Sequence, residues 1–327
     1  MKPKILMTRA VFPDVITYLA EHFEVESNQE DRIFDDAELV RRMHDKVGLY
    51  CNTSQRVSAD IIAACPSMRV IANMAVGYNN IDLAAATRAG IPVTNTPDVL
   101  NETTADFAWA LLMATARRVT EAEHWLRAGK WEKWTYDGFL GADVHGATLG
   151  ILGMGRIGQA IARRAKGFAM RVIYHNRTRL APHEEQGAND AQWVSKEALL
   201  AQADHLVLVL PYSAATHHAI GAAELARMKP SATLINIARG GIVDDVALIA
   251  ALRAQQLAAA GLDVFENEPA LHADFLTLSN VVLTPHIGSA SAPTRRAMAY
   301  CAADNLIAGL QGKMPPNLLN PEVLPRK

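Results

Sequence analysis

Three glycines with fixed spacing give the clearest chemical signal in the chain. Gly153, Gly155 and Gly158 form a Gly-x-Gly-x-x-Gly turn between a five-residue apolar strand and a helical segment rich in alanine. In such a turn the first glycine allows a tight bend, the second lets the backbone approach a pyrophosphate, and the third permits close packing of helix on strand. The helix start, with Arg156 and Ile157, offers free N–H groups to the anion. The turn predicts a dinucleotide site, and a purely structural turn is the alternative.

The end of the next strand indicates which dinucleotide binds. A carboxylate at this point would accept hydrogen bonds from the ribose 2′-hydroxyl of NAD. The chain instead has Asn176, Arg177 and Thr178. Because no carboxylate repels a phosphate here and Arg177 can bind one through two parallel hydrogen bonds, NADP is preferred and NAD stays possible. A solvated basic turn is the alternative interpretation.

Three further polar stretches each follow a predicted strand and carry the other candidates for chemistry. The first contains Arg239, the second Asp263 and Glu268, and the third His286. Ligands of open α/β folds bind at the carboxyl ends of parallel strands. An arginine, a carboxylate and a histidine could therefore meet at one edge of a sheet.

Two runs of alternating strands and helices position these residues. The first begins with a strand at Lys4–Thr8 and a helix at Pro13–His22, and it continues for about a hundred residues. The second begins at Thr148, with strands predicted at 148–152, 171–174, 205–209, 233–237, 257–262 and 281–283. Several of these strands are continuous apolar runs, which are typical of parallel sheets covered on both faces. We predict two Rossmann-like, doubly wound α/β domains.

Two helices mark the crossings between the domains. Asn101 can cap a long helix predicted over Glu102–Val119, and a last helix over Ser291–Leu310 has no obvious place in the second sheet. We therefore predict a discontinuous domain of residues 1–100 and 288–327, and a nucleotide-binding domain of residues 101–287.

An aromatic segment lies between the two strand runs. Trp125, Trp131, Trp134, Tyr136 and Phe139 occur there with little periodicity. Because interfaces favour Trp and Tyr, residues 120–146 are predicted to form an arm at a subunit contact. Packing beneath a loop within one chain is the alternative.

Composition excludes several classes of protein. Lys plus Arg total 32 and Asp plus Glu total 34, so the net charge of −2 gives no attraction for nucleic acid. The three cysteines lack metal-ligand spacing and are read as reduced thiols, with no metal site. No apolar run is long enough for a membrane span or a secretion signal. We expect a cytoplasmic protein with a small-molecule partner.

The order of the motifs resembles the D-isomer-specific 2-hydroxyacid dehydrogenase family, and within it the glyoxylate and hydroxypyruvate reductases. The resemblance covers nearly the whole chain, through stretches at 76–82, 94–97, 153–158, 236–241, 261–269 and 284–289. It implies a substrate domain made from both chain ends, a central cofactor domain, an active site in the cleft between them, and a homodimer.

The resemblance also implies roles for three residues, and each role meets a physical requirement. Arg239 would bind the carboxylate of a 2-oxo acid and polarise its carbonyl. His286 would deliver a proton to the carbonyl oxygen as that oxygen becomes basic. Glu268 would hydrogen-bond the other ring nitrogen and favour the charged imidazole.

Further contacts are implied around these three residues. The backbone N–H groups of Val76 and Gly77 would receive the substrate carboxylate, and Asp263 would accept from the nicotinamide carboxamide. The remaining positions that match cofactor-lining residues are Thr104, Pro211, Thr216, Ala238 and Gly288.

One loop departs from the resemblance. Close glyoxylate-reductase relatives tend to have apolar residues where this chain has Asn52, Thr53 and Ser54. Polar groups, with Thr53 as the substrate contact, suit a hydroxylated tail, so hydroxypyruvate or 2-ketogluconate competes with glyoxylate. Alternatively, these side chains face water.

Two other functions share the resemblance. Some relatives are nucleotide-sensing corepressors, but such proteins often have a long polar tail, and this chain ends seventeen residues after Leu310. Others oxidise phosphite and place a lysine where this chain has Val76. We therefore expect a reductase that converts glyoxylate or hydroxypyruvate to glycolate or D-glycerate.

Overall fold

The structure of the chain is a computed structural model that describes residues 2–324. The chain divides into two compact units, between Leu100 and Asn101 and again between Ser289 and Ala290. The second division lies two residues beyond the predicted boundary between residues 287 and 288. The amide of Gly288 donates to Asp263 Oδ2 at 2.8 Å, which ties this residue to the second unit.

The first unit is built on a five-stranded, fully parallel sheet. Its strands alternate with helices in the order β1 (Lys4–Met7), α1 (Pro13–His22), β2 (Glu24–Ser27), α2 (Asp36–Met43), β3 (Gly48–Cys51), α3 (Ala59–Ala64), β4 (Val70–Asn73), α4 (Leu83–Arg88) and β5 (Val93–Thr94). The strand order is β2-β1-β3-β4-β5. Helix starts are encoded locally, because Asp35, Ser58 and Asp82 each accept from the amide three residues on.

The second unit contains a seven-stranded parallel sheet. Its elements are α5 (Asn101–Ala116), α6 (Val119–Arg127), β6 (Thr148–Leu152), α7 (Arg156–Ala165), β7 (Arg171–His175), α8 (Pro182–Gly187), β8 (Gln192–Trp193), α9 (Lys196–Gln202), β9 (His205–Leu208), α10 (Ala222–Leu225), β10 (Thr233–Asn236), α11 (Asp245–Arg253), β11 (Ala259–Leu262) and β12 (Val281–Leu283). The strand order is β12-β11-β10-β9-β6-β7-β8, so the order reverses between β6 and β9. Ligands bind at such a reversal, at the carboxyl ends of the strands.

Both faces of the second sheet are covered, as the apolar strand runs predict. Leu206 and Leu208 belong to one hydrophobic cluster, whereas Val207 between them belongs to the cluster on the other face. Trp109 of α5 stacks on Phe168 with ring centroids 4.6 Å apart, and its indole N–H donates to Ile161 of α7. Apolar burial on two faces therefore fixes the sheet that carries the candidate site.

The last helix, α12 (Ala292–Leu310), returns to the first unit, as its sequence position indicates. It packs on β3 and β4, and the hydroxyl of Tyr50 donates to Ala299 O at 3.1 Å. Tyr18 of α1 donates to Asp304 at 2.8 Å. Residues from the two ends of the chain thus share one core.

The predicted pair of parallel α/β domains is confirmed, but several local predictions are wrong. The helix expected over Glu102–Val119 ends at Ala116, because Arg118 adopts a left-handed conformation with φ of 54°, and a second helix begins at Val119. Trp125 lies on the second of these helices rather than in irregular chain. Strands β2, β5 and β8 were not predicted, since β5 and β8 have only two residues and β2 is polar. Within residues 2–324 no helix is both long and apolar enough to cross a membrane.

Candidate active site

The glycine turn joins β6 to α7 at the reversal of strand order. Gly153 has φ of 104°, and a Cβ on it would lie 2.8 Å from the amide nitrogen of Leu210. A Cβ on Gly158 would lie 2.4 Å from Gly153 O, so the helix start packs directly on the turn. Larger residues do not fit at either position.

The geometry of the turn fits a dinucleotide phosphate. Gly155 is the N-cap of α7 and supplies no side-chain cap, so the first amides of the helix are left for an external acceptor. The space that a Cβ on Gly155 would occupy is open, with no atom within 4 Å. Arg156 is exposed and Ile157 is half-buried at the same helix start. This end of α7 can therefore hold an anion.

The segment after β7 carries two exposed arginines, Arg177 and Arg179. The side chain of Asn176 is already hydrogen-bonded, because its Oδ1 accepts from the amide of Met154 in the glycine turn at 2.7 Å. Arg179 makes two 2.8 Å hydrogen bonds to Glu185. Arg177 and Thr178 are exposed, and the structure gives the Arg177 guanidinium no partner among residues 2–324. Arg177 is thus the cation at this point that can take up a phosphate.

Other predicted cofactor residues lie around the same sheet edge. Thr216 donates to Pro211 O at 2.8 Å and closes the turn after β9. Thr104 is buried on α5, and its methyl group lies 3.7 Å from where a Cβ on Gly288 would be. Ala238 is buried after β10.

Arg239 follows β10 in a turn that the Asn236 side chain organises. Asn236 accepts from the amide of Ala238 at 3.1 Å and donates to the carbonyl of Arg239 at 3.3 Å. The guanidinium is partly buried and donates through Nη1 to Ala238 O at 2.7 Å. Burial lowers the pKa of Arg239, and the Glu268 carboxylate opposes that effect. A desolvated guanidinium binds a carboxylate more strongly than an exposed one does.

Glu268 and His286 come together although they lie on different loops. Nδ1 of His286 is 2.8 Å from Oε2 of Glu268, and the side chains are 36% and 31% exposed. The other carboxylate oxygen accepts from the amide of Phe265 at 2.9 Å. Burial raises the pKa of Glu268, but the hydrogen bond and charge of His286, the amide of Phe265 and the charge of Arg239 together hold it below its ordinary value. The carboxylate therefore keeps the proton of His286 on Nδ1.

Asp263 fixes the loop that carries His286. Its Oδ1 accepts from the hydroxyl of Thr284 at 2.7 Å and the amide of Ile287 at 2.8 Å, while Oδ2 accepts from the amide of Gly288. Burial raises the pKa of this carboxyl despite those bonds. Asp263 thus positions the loop around His286, and its predicted contact with the cofactor stays a prediction.

The first unit supplies a turn whose amides point to no internal partner. Asn95 Nδ2 donates to Val76 O and Asn73 Nδ2 donates to Gly77 O, both at 2.9 Å. Among residues 2–324, the amides of Val76 and Gly77 have no hydrogen-bond acceptor. Two adjacent unpaired amides can receive an anion.

Thr53 lies half-buried in the loop after β3, on the same edge of the first sheet. Asn52 is occupied, since its Oδ1 accepts from the amide of Ser54 at 3.0 Å. The predicted contact of Thr53 with the substrate stays a prediction.

Sequence reasoning missed the residues that brace these turns. Thr284 holds Asp263, Asn236 folds the arginine turn, and Asn73 and Asn95 hold the Val76–Gly77 turn. Asparagine at the end of a parallel strand was the available signal, since Asn73 and Asn236 are the last residues of β4 and β10 and an asparagine side chain readily bonds neighbouring backbone.

Comparisons with known proteins show which family the chain is similar to. A family model described as the NAD binding domain of D-isomer specific 2-hydroxyacid dehydrogenase matches residues 109–288. The glyoxylate reductase of Thermococcus gammatolerans is 49% identical over 99% of this chain and 98% of its own length. That of Pyrococcus furiosus is 47% identical over 99% of this chain and 97% of its own length.

A solved structure is also similar to this chain over its length. The NADPH-dependent glyoxylate/hydroxypyruvate reductase of Sinorhizobium meliloti, in complex with NADP and malonate, is 36% identical to this chain. The two structures superpose with a TM-score of 0.89, over 100% of this chain and 99% of that one. The chain is thus an oxidoreductase that uses NAD(P), and it belongs to the D-isomer-specific 2-hydroxyacid dehydrogenase family.

Proposed function

We propose that the protein reduces glyoxylate or hydroxypyruvate to glycolate or D-glycerate and prefers NADPH. One observation carries the proposal. His286 and Glu268 form a 2.8 Å pair, and the Glu268 carboxylate also attracts the positive charge of Arg239. A cation for the acid group and a proton donor for the carbonyl oxygen are therefore built into one sheet edge.

Arg239 binds and orients the 2-oxo acid. Its planar guanidinium matches the carboxylate and the adjacent carbonyl oxygen, and partial burial strengthens the contact. Polarising the carbonyl prepares its carbon for the hydride that bound NADPH supplies. A lysine would provide charge without the planar match.

His286 delivers the proton. Because Nδ1 faces Glu268, Nε2 is the nitrogen left to donate to the carbonyl oxygen as negative charge develops there. Glu268 stabilises the charged imidazole before transfer and fixes the ring orientation throughout. Asp263 holds the loop so that the ring does not swing away.

We assign the amides of Val76 and Gly77 to the substrate carboxylate. Asn95 holds the carbonyl of Val76, which shares a peptide plane with the amide of Gly77, so this contact fixes the Gly77 amide. Rigid backbone donors bind an anion without losing side-chain entropy.

The preference for NADPH rests on Arg177. No carboxylate ends β7, Arg179 is engaged by Glu185, and Asn176 is engaged by the glycine turn. Arg177 is consequently the group that would contact a 2′-phosphate. Charge-assisted bonds to phosphate are about twice as strong as neutral ones.

The loop with Thr53 favours 2-ketogluconate reduction as a second candidate. A half-buried hydroxyl beside the substrate suits a hydroxylated tail and penalises an apolar one. Hydroxypyruvate has one tail hydroxyl and 2-ketogluconate has several.

A substrate panel tests these assignments. NADPH consumption is followed with glyoxylate, hydroxypyruvate, 2-ketogluconate and pyruvate, and NAD reduction is followed with phosphite. We expect turnover of glyoxylate or hydroxypyruvate above that of pyruvate, and none with His286→Asn. A lack of turnover on every 2-oxo acid, or reduction of NAD with phosphite alone, would overturn the proposal.

We further propose a homodimer built on the aromatic segment. Trp131, Trp134 and Tyr136 are 61%, 78% and 81% exposed, so packing within one chain does not account for them. Arg118 and Trp125 contact Phe139 and hold the segment in place. Because large exposed aromatic surfaces mark interfaces, a second copy of this chain is the expected partner.

Light scattering after size-exclusion chromatography tests the dimer. The wild type should have twice the mass of the chain, and Trp134→Ser with Tyr136→Ser should shift it toward the monomer. Trp193→Ser, an exposed tryptophan on β8, is the control. A monomeric wild type would contradict the proposal.

A further inference from the structure

Two histidines and a glutamate cluster in the second unit and have no role in the proposed reaction. His217 and His218 follow the Thr216 turn, and Glu266 lies after β11. One ligand atom from each of the three lies within 4.8 Å of the others. Both histidines are exposed and Glu266 is partly buried.

Within residues 2–324, Nε2 of His217 has no hydrogen-bond partner, whereas Nε2 of His218 is paired with Glu266, the third member of the cluster. The hydroxyl of Tyr212 is 3.2 Å from His217 Nδ1, and Oδ2 of Asp244 is 3.8 Å from His218 Nδ1. His218 Nε2 faces Glu266 Oε1 at 2.5 Å. The two rings stack with centroids 3.9 Å apart and planes 24° from parallel, so the two Nε2 atoms lie on neighbouring rings.

We propose that His217, His218 and Glu266 form a binding site for a divalent transition-metal ion of the zinc type. Two imidazoles and one carboxylate are a zinc ligand set, whereas magnesium and calcium prefer oxygen ligands. The Tyr212 hydroxyl at Nδ1 of His217 matches the outer-sphere partners that orient metal-bound histidines, and the Asp244 carboxylate lies near Nδ1 of His218 without a hydrogen bond to it.

The present spacing is close to that of a metal site. Ligand atoms about 2.1 Å from zinc lie roughly 3.4 Å apart in a tetrahedron. The three ligand atoms now lie within 4.8 Å of one another, so small rotations of the side chains bring them to that distance. The ion takes the place of the proton between His218 and Glu266, and that proton is released to solvent.

The site joins two segments of one sheet edge. His217 and His218 end the turn that begins at Pro211, while Glu266 lies between Asp263 and Glu268. A bound ion therefore cross-links these segments and stabilises the folded chain, since it binds the native state. Three protein ligands leave a fourth position open to water.

Calorimetric titration of the tag-free protein with zinc chloride tests the proposal, without substrate or nucleotide. We expect one ion per chain with a Kd below about 10 µM. His217→Ala and Glu266→Gln should each weaken binding by about 10-fold or more. His124→Ala is the matched control, because His124 is exposed beside Glu123 but has no second imidazole.

Two further measurements guard against misfolding and non-specific binding. Circular dichroism establishes that the variants fold, and cobalt chloride should give the visible absorption of a tetrahedral site in the wild type and the control only. Zinc should raise the Tm of the wild type and of His124→Ala, and it should not raise the Tm of His217→Ala or Glu266→Gln. Absence of binding by the wild type, or equal affinity and equal Tm shifts in all four proteins, would overturn the proposal.

Discussion

Nδ1 of His286 lies 2.8 Å from Oε2 of Glu268, although 18 residues separate them along the chain. The contact exists because β11 and β12 are parallel neighbours, so the loops that follow them leave the sheet at the same edge. Asp263 and the amide of Phe265 hold the two loops in register. The proton donor is therefore positioned by backbone contacts as well as by its partner.

Glu268→Gln should reduce kcat for glyoxylate by roughly 100-fold and leave the KM for NADPH unchanged. A glutamine cannot stabilise the charged imidazole, and general acid catalysis contributes about 10² to 10⁴ to such rates. Steady-state kinetics measures the split between kcat and KM. A variant with wild-type kcat across the pH range would show that the contact is only structural.

Arg177→Ala should weaken the binding of NADPH much more than the binding of NADH. Loss of the guanidinium removes a charge-assisted contact with the 2′-phosphate, which is worth about 1.5–3 kcal/mol, or roughly 10- to 100-fold in KM. The matched control is Arg179→Ala, which breaks two bonds to Glu185 and should lower Tm without changing the cofactor ratio. Equal losses for the two cofactors with Arg177→Ala would remove the assignment.

Asn95→Ala should raise the KM for the 2-oxo acid by about 10-fold while the KM for NADPH stays constant. The substitution frees Val76 O and lets the turn relax, so its amides are no longer preorganised. Loss of folded protein would instead lower the apparent kcat and leave both KM values unchanged. Initial rates over a matrix of both substrates separate these outcomes.

His205 should make stability fall on mild acidification. The side chain is buried on β9, and burial lowers its pKa, although the hydrogen bond to Asp143 O opposes this. The stability that comes from keeping His205 neutral is fully present above the ordinary histidine pKa of about 6.5. It is lost below that pH because the unfolded chain takes up a proton that the folded chain resists, by at most about 1.4 kcal/mol per pH unit.

Urea unfolding at several pH values between 5 and 8 measures this effect. His205→Gln removes the titrating group and should flatten the dependence relative to the wild type. If the free energy of unfolding changed with pH equally in both proteins, His205 would not be the titrating group.

Local signals in the sequence predict much of the fold. The helix Pro13–His22 and the strands Thr148–Leu152 and Val281–Leu283 match their predicted limits, because a proline at a helix start and short apolar runs are signals that act over a few residues. Short elements such as β5 and β8 escape detection. Two residues carry too little pattern, and only their neighbours in the sheet make them strands.

The sequence by itself determined the two strand–helix runs, the glycine turn and the residue types that follow each strand, since these depend on local periodicity and turn chemistry. Only the tertiary structure decided which of these groups are engaged. Asn176 is taken by Met154 and Arg179 by Glu185, whereas Arg177 is left exposed. The physical reason is that hydrogen-bond partners across a parallel sheet are set by strand order and register, which no local pattern contains.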